Sequence, residues 1–132
     1  MKKFYVASNF KNKQAVRSVS KGLKDKGFIQ TYDWTENGRA SEIEKLKRIG
    51  ILEKEAVMDA DFLIVLLPAG KGSHIELGIA LGLEKPVYLY SPDDEVNHPD
   101  TTSTFYHLDN VHQYVGKLDA FVQTVLSKEQ NS

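Results

Sequence analysis

The run Asp61-Phe62-Leu63-Ile64-Val65-Leu66-Leu67 constrains this chain more than any other stretch, because its six consecutive apolar residues leave no polar face. A strand of that kind must be covered on both sides, as at the centre of a parallel sheet. Around it, apolar runs and helical periods alternate. Lys3 to Ser8 is a short β-rich run, followed at helical spacing by Ala15, Val16, Val19 and Leu23, with Gly27 placed to close that helix. Phe28 to Trp34 alternates like a second strand. Ser41-Glu42-Ile43-Glu44 has capping-box spacing and opens a helix whose inner face carries Ile43, Leu46, Ile49, Leu52, Ala56 and Val57. A glycine-rich turn and a third helix follow the central strand. Pro86 to Tyr90 and Val111 to Val115 read as the last two strands, with residues 93–110 irregular apart from a turn around Phe105-Tyr106. Leu118, Phe121, Val122 and Val125 mark a final helix, and residues 127–132 are expected to fray.

This alternation predicts one doubly wound α/β domain over residues 1–132, a flavodoxin-like (Rossmann-like) fold with helices on both faces. Its five parallel strands take the order 2-1-3-4-5. In such sheets ligands sit beyond the carboxyl ends of the strands, near the switch point between strands 1 and 3. The candidate loops are therefore Ser8 to Lys11 (with Asn9 and Phe10), Asp33 to Gly38, Pro68 to Ser73 and Ser91 to Glu95.

Charge narrows the ligand. A formal net charge of −1 gives no global attraction for nucleic acid polymers or an anionic membrane. No apolar stretch approaches a membrane span, and the amino-terminal apolar run is too short for a signal peptide. The absence of cysteine excludes disulfide and thiolate chemistry and suits a reducing compartment. A cytoplasmic protein is expected. The histidines at 74, 98, 107 and 112 show no metal-ligand spacing, and no metal site is expected.

The stretch AGKGSHIELGIALGL, residues 69–83, holds the chemistry. Gly70 and Gly72 permit close backbone approach, Lys71 adds positive charge, and the helix that begins at Ser73 turns its free N–H groups toward an anion. The glycines at 70, 72 and 78 fit neither a P-loop nor a dinucleotide fingerprint. Glu76 stands at capping-box spacing from Ser73, so a helix cap is one reading of it. A carboxylate partly desolvated at the ligand edge, fit for nucleophilic or acid/base work, is the other. His74 shares that address. Trp34, closing the second strand, is placed either to stack on a base or to pack at the rim.

Taken together, Lys3-Phe4-Tyr5-Val6-Ala7-Ser8-Asn9-Phe10, Met58-Asp59-Ala60-Asp61-Phe62-Leu63-Ile64-Val65 and Gly72-Ser73-His74-Ile75-Glu76-Leu77-Gly78-Ile79-Ala80 resemble the nucleoside 2-deoxyribosyltransferase superfamily, including its deoxynucleoside 5′-monophosphate N-glycosidase branch. The resemblance runs over most of residues 3–91. It implies cleavage or exchange at the N-glycosidic bond of a nucleoside or nucleotide, with Glu76 as nucleophile, Tyr5 beside it and Glu53 assisting at the leaving base. It also implies no cofactor and a homo-oligomer. Where Glu53 stands the family commonly has an aspartate, one methylene shorter. At Gly70, relatives carry an aspartate or a phosphate-contacting serine, so the resemblance does not hand on a substrate class. Lys71, Gly72, Ser73 and His74 remain the candidates for contact with substrate in that loop. Two other readings stay open: a TIR-like NAD glycohydrolase, which also uses a helix glutamate, and a nucleotide-binding module without catalysis.

Overall fold

A computed structural model describes residues 2–131. Five strands form one parallel sheet of order β2-β1-β3-β4-β5, built from β1 (Lys3–Ser8), β2 (Ile29–Gln30), β3 (Phe62–Leu66), β4 (Val87–Ser91) and β5 (Val111–Val115). This is the predicted flavodoxin-like order. Three helices connect the first four strands, α1 (Lys13–Lys24), α2 (Ile43–Asp59) and α3 (Lys71–Gly82), two 3₁₀ turns lie between β4 and β5, and α4 (Leu118–Gln130) follows β5. Helices α1 and α4 pack together on one face, and α2 and α3 on the other. Every residue of β3 is buried, as its unbroken apolar run requires. Because side chains alternate across a strand, Phe4 and Phe62 turn to the α1/α4 face while Tyr5 turns toward α2 and α3. Among the described residues no helix is long and apolar enough to cross a membrane.

On the α1/α4 face Phe62 stacks on Phe4 and meets Phe28 and Tyr88 edge-on, with ring centroids 6.2, 5.9 and 5.6 Å away. The Tyr88 hydroxyl donates to buried Glu129, whose other oxygen takes the Lys2 ammonium at 2.8 Å. That tie changes one expectation. The chain does not fray from Ser127, because α4 continues to Gln130 with Leu126 and Glu129 buried; Ser132 lies outside the described residues.

Other expectations also shift. Helix α1 ends at Lys24, and Gly27 (φ 91°) instead reverses the chain beyond it, so that the Phe28 N–H reaches the Leu23 carbonyl. The second strand is only two residues long. After it the chain leaves the sheet, and Asp33 caps a short 3₁₀ turn, Trp34–Glu36, by accepting the Thr35 N–H at 3.0 Å. Asp61 precedes β3 and accepts the Lys3 N–H at 2.8 Å, while Asp59 pairs with the Lys3 ammonium. The Ser41–Glu44 capping box does not form: α2 starts at Ile43 with no side-chain cap. Its amino-terminal half overhangs the sheet edge, where water can satisfy the free N–H groups. In consequence Ile43, Leu46 and Leu52, expected in the core, are exposed, and only Ala56 and Val57 of the helix are fully buried.

Candidate active site

The site forms where β1 and β3 end. Tyr5 lies at the middle of β1 with its side chain wholly buried, and its hydroxyl donates to Glu76 Oε2 at 2.6 Å. Glu76 is 8% exposed, within a helix that is apolar on almost every side. Glu53, reaching down from α2, completes the group: its carboxylate interacts with the Tyr5 hydroxyl and its charge is felt at Glu76.

These contacts bear on the helix-cap reading of Glu76. Helix α3 begins at Lys71, two residues earlier than the sequence suggests, with Gly70 at the N-cap. Ser73 is therefore a third-position residue that accepts the Gly70 N–H at 3.1 Å, and Glu76 lies in the second turn. Glu76 caps nothing. Its position in the second turn aims the carboxylate inward at Tyr5.

Electrostatics follow from the burial. Desolvation pushes the Glu76 carboxyl up to about 7; the hydrogen bond from Tyr5 opposes the rise and the neighbouring Glu53 charge adds to it. Burial also raises Glu53, again opposed by Tyr5. The Tyr5 phenol is held far above its ordinary value by burial and by the Glu76 carboxylate, so it remains a donor at any working pH. Two carboxylates raised by burial thus flank one hydroxyl, and the Glu53 charge disfavours ionisation of Glu76.

Beside the pair opens a cleft of about 390 Å³, lined by Phe10, Trp34, Arg39, Leu46, Ile49 and Glu53 among others. Trp34 forms its wall: the indole is buried, donates to the Val6 carbonyl at 2.7 Å and lies 6.2 Å from the Phe10 ring. Phe10 is the exposed aromatic face, with the Lys13 ammonium 3.9 Å from its centroid. Arg39, Leu46 and Ile49 escape a reading of the sequence. Arg39 ends a polar turn with no motif around it, and the two aliphatics carry a core-like period that the overhang of α2 turns into a pocket wall.

The remaining candidates divide. Ser8 and Asn9 hold the loops in place, since Ser8 Oγ donates to the Leu66 carbonyl at 2.7 Å and Asn9 N–H to the Pro68 carbonyl at 3.3 Å. Gly70 is half-buried, Lys71 and Gly72 are exposed, and a Cβ at either glycine would meet open space. His74 leads away from Glu76. Its ring nitrogens contact the Gly70 carbonyl at 2.8 Å and the Tyr106 hydroxyl at 2.7 Å, beside a separate cleft of about 400 Å³ toward β4. Among the described residues no three His, Asp or Glu side chains gather as a metal-binding group.

The fold has solved counterparts. Clostridium botulinum CMP N-glycosidase, BcmB, superposes with a TM-score of 0.65 at 18% identity, covering 94% of this chain and 98% of that one. A conserved protein from Enterococcus faecalis V583 gives 0.66 at 18% identity over 97% and 99%, and the solution structure of BlsM gives 0.63 at 15% over 99% and 95%. The sequence matches no protein-family model and no curated protein. At these identities the likeness is one of fold.

Proposed function

We propose that this chain breaks the N-glycosidic bond of a nucleoside or nucleotide, as a hydrolase or a base-exchange transferase, with Glu76 as the nucleophile. One observation carries the reading: a carboxylate inside an apolar helix, held by a tyrosine hydroxyl at the ligand edge of the sheet, next to a second raised carboxylate. A fold shared with a CMP N-glycosidase supports the reaction class.

In this reading the sugar lies over Glu76 and the base enters the Phe10–Trp34 cleft. As the C1′–N bond breaks, its electron pair leaves with the base, which takes a proton from Glu53. The Glu76 carboxylate closes on the oxocarbenium-like carbon and forms a glycosyl ester. Water, or a second base, then attacks C1′ while Glu53 accepts its proton, and Glu76 departs as the free carboxylate. Tyr5 is a positioning residue: its hydrogen bond fixes the attacking carboxylate and favours the ionised form. No step calls on a metal or redox cofactor. The enzyme works on a small molecule as a homo-oligomer in the cytoplasm, the compartment that suits a cysteine-free chain.

Chromatography of a panel of nucleosides, 5′-monophosphates and NAD after incubation tests the reading. Free base is expected from at least one nucleoside or monophosphate. Release from NAD alone would favour the TIR-like alternative, and release from nothing would overturn catalysis. The nucleophile must be ionised, so kcat/KM is expected to climb with pH on an acid limb centred at about 7. Tyr5→Phe removes the one contact that lowers the Glu76 value. Its limb should move up by about one pH unit, the equivalent of a charge-assisted hydrogen bond. A limb that stays in place would remove Tyr5 from the mechanism.

A further inference from the structure

The cleft beside Glu76 has two ends of different chemistry. At the near end stands Glu53, next to Tyr5 and Glu76. Asn37, Gly38 and Ile49 mark the far end, because all three also line a second cleft of about 410 Å³. Between the ends the walls are mainly carbon, from Phe10, Trp34 and Leu46, and the indole N–H is already engaged by the Val6 carbonyl. Hydrogen-bonding capacity therefore gathers toward the far end, and it is of one kind. Asn37 Oδ1 accepts the Tyr32 hydroxyl at 3.0 Å, and Tyr32 lines the second cleft but not the first. The amide oxygen is thus drawn away from the first cleft, which leaves it the amide nitrogen, a donor. Arg39, two residues further along the same turn, brings only donors. Among the described residues, neither Asn37 Nδ2 nor the Arg39 guanidinium has a hydrogen-bond partner. Behind the turn, Lys45 and Arg48 outnumber Glu36 on the wall of the second cleft and add positive potential at this end.

We propose that Asn37 and Arg39 make the cleft select a base with a carbonyl, rather than an amino group, on the edge remote from the sugar. Uracil or thymine is then preferred to cytosine, and hypoxanthine to adenine. The inference rests on the reading above, in which the sugar lies over Glu76 and the base enters this cleft. With the glycosidic nitrogen at Glu53, the remote edge of the base meets the two donors. A carbonyl there accepts from them. An amino group sets donor against donor and leaves both sides unpaired between carbon walls, the mismatch that discriminates most strongly. The same donors act on the reaction. As the C1′–N bond breaks, its electron pair enters the base, and in an oxo base the charge spreads from the ring nitrogen onto the carbonyl oxygen. Donors fixed at that oxygen hold the departing base more tightly than the intact substrate, which lowers the barrier. The proton from Glu53 then leaves the base neutral.

Substrate pairs that differ only at that edge test the proposal: uridine with cytidine and inosine with adenosine, as ribo- and 2′-deoxyribonucleosides and as their 5′-monophosphates. The oxo member is expected to lead in kcat/KM by about a hundredfold or more. Asn37→Asp exchanges the donor for an acceptor while keeping an oxygen for Tyr32. It should shrink that ratio by about tenfold or more, because the oxo substrate loses a bond and the amino substrate gains one. Arg39→Met, at an exposed side chain, should slow the oxo member and spare the amino member. A wild type that prefers the amino member would overturn the proposal, and so would variants that lower both members alike. Calorimetric titration of the wild-type chain with free uracil, cytosine, hypoxanthine and adenine asks the same question without turnover. Tighter binding of uracil and hypoxanthine is expected; the reverse order, equal binding or no binding would overturn the selection. The expected binding order with no base released from any substrate would count against the reaction at Glu76 and leave the selection standing, so the two fail separately.

Discussion

Glu76→Gln is expected to fold as the wild type does and to lose turnover by about a thousandfold or more. Glutamine keeps the size of the side chain and still offers Tyr5 an oxygen acceptor, so the 2.6 Å hydrogen bond survives in form. It cannot form a glycosyl ester. Stability should not fall at pH 8, and the sign follows from linkage. Burial holds the Glu76 carboxyl at about 7 against 4.5 for the free group. The stability it contributes is therefore full below pH 4.5 and lost as the pH rises through about 7. A neutral glutamine escapes that loss, which amounts to about 3 kcal/mol at most. The variant should melt at or above the wild-type temperature at pH 8 while the base-release assay reads nothing. Retained turnover would remove Glu76 as nucleophile. A lower melting temperature at pH 8 would mean that its carboxylate is better solvated than the structure shows.

Phe62→Ala should cost about 3–5 kcal/mol of stability, the largest loss expected of a single side-chain truncation. The ring has no exposed surface and touches Phe4, Phe28 and Tyr88, so its removal leaves a cavity that three aromatics cannot close without leaving their rotamers. For a chain of this length that loss lowers the melting temperature by roughly 10–18 °C, measurable by calorimetry or urea titration. The position is on the α1/α4 face, away from Glu76, so protein that is still folded at low temperature should keep its kcat. Ile43→Ala is the control: its side chain is 76% exposed, and its loss should be nearly neutral. A change under about 1 kcal/mol at Phe62 would show that the aromatic cluster is not close-packed.

Much of the fold was legible because the sheet writes itself into the chain. The unbroken run at 62–66 could belong only to a strand covered on both faces, and alternation around it left one simple winding. Helix starts were less legible. Ser73 and Glu76, like Ser41 and Glu44, satisfy the capping spacing, but spacing does not say where the helix begins. Gly70 starts α3 early, and α2 starts past Ser41 with no side-chain cap. Periodicity likewise tells which residues share a side and not whether anything covers them, which is why Leu46 and Ile49 read as core and stand in a cleft wall. The site was half visible. Glu76 announced itself as a charge in an apolar helix. Its meeting with Tyr5 and Glu53 depends on three elements converging, as does that of His74 with Tyr106, and no local pattern encodes either.

The overhang of α2 has a consequence for motion. Its carboxyl half is anchored by Ala56 and Val57, while the half that walls the cleft has little buried beneath it. The free energy needed to open backbone hydrogen bonds should therefore step down along one continuous helix. Amide exchange should be slow near Val57 and fast near Leu46, with Glu53 at the boundary between the two regimes. A base seated against Phe10 would supply the missing contacts and extend protection toward Ile43, so occupancy of the cleft could be followed without observing the reaction at all.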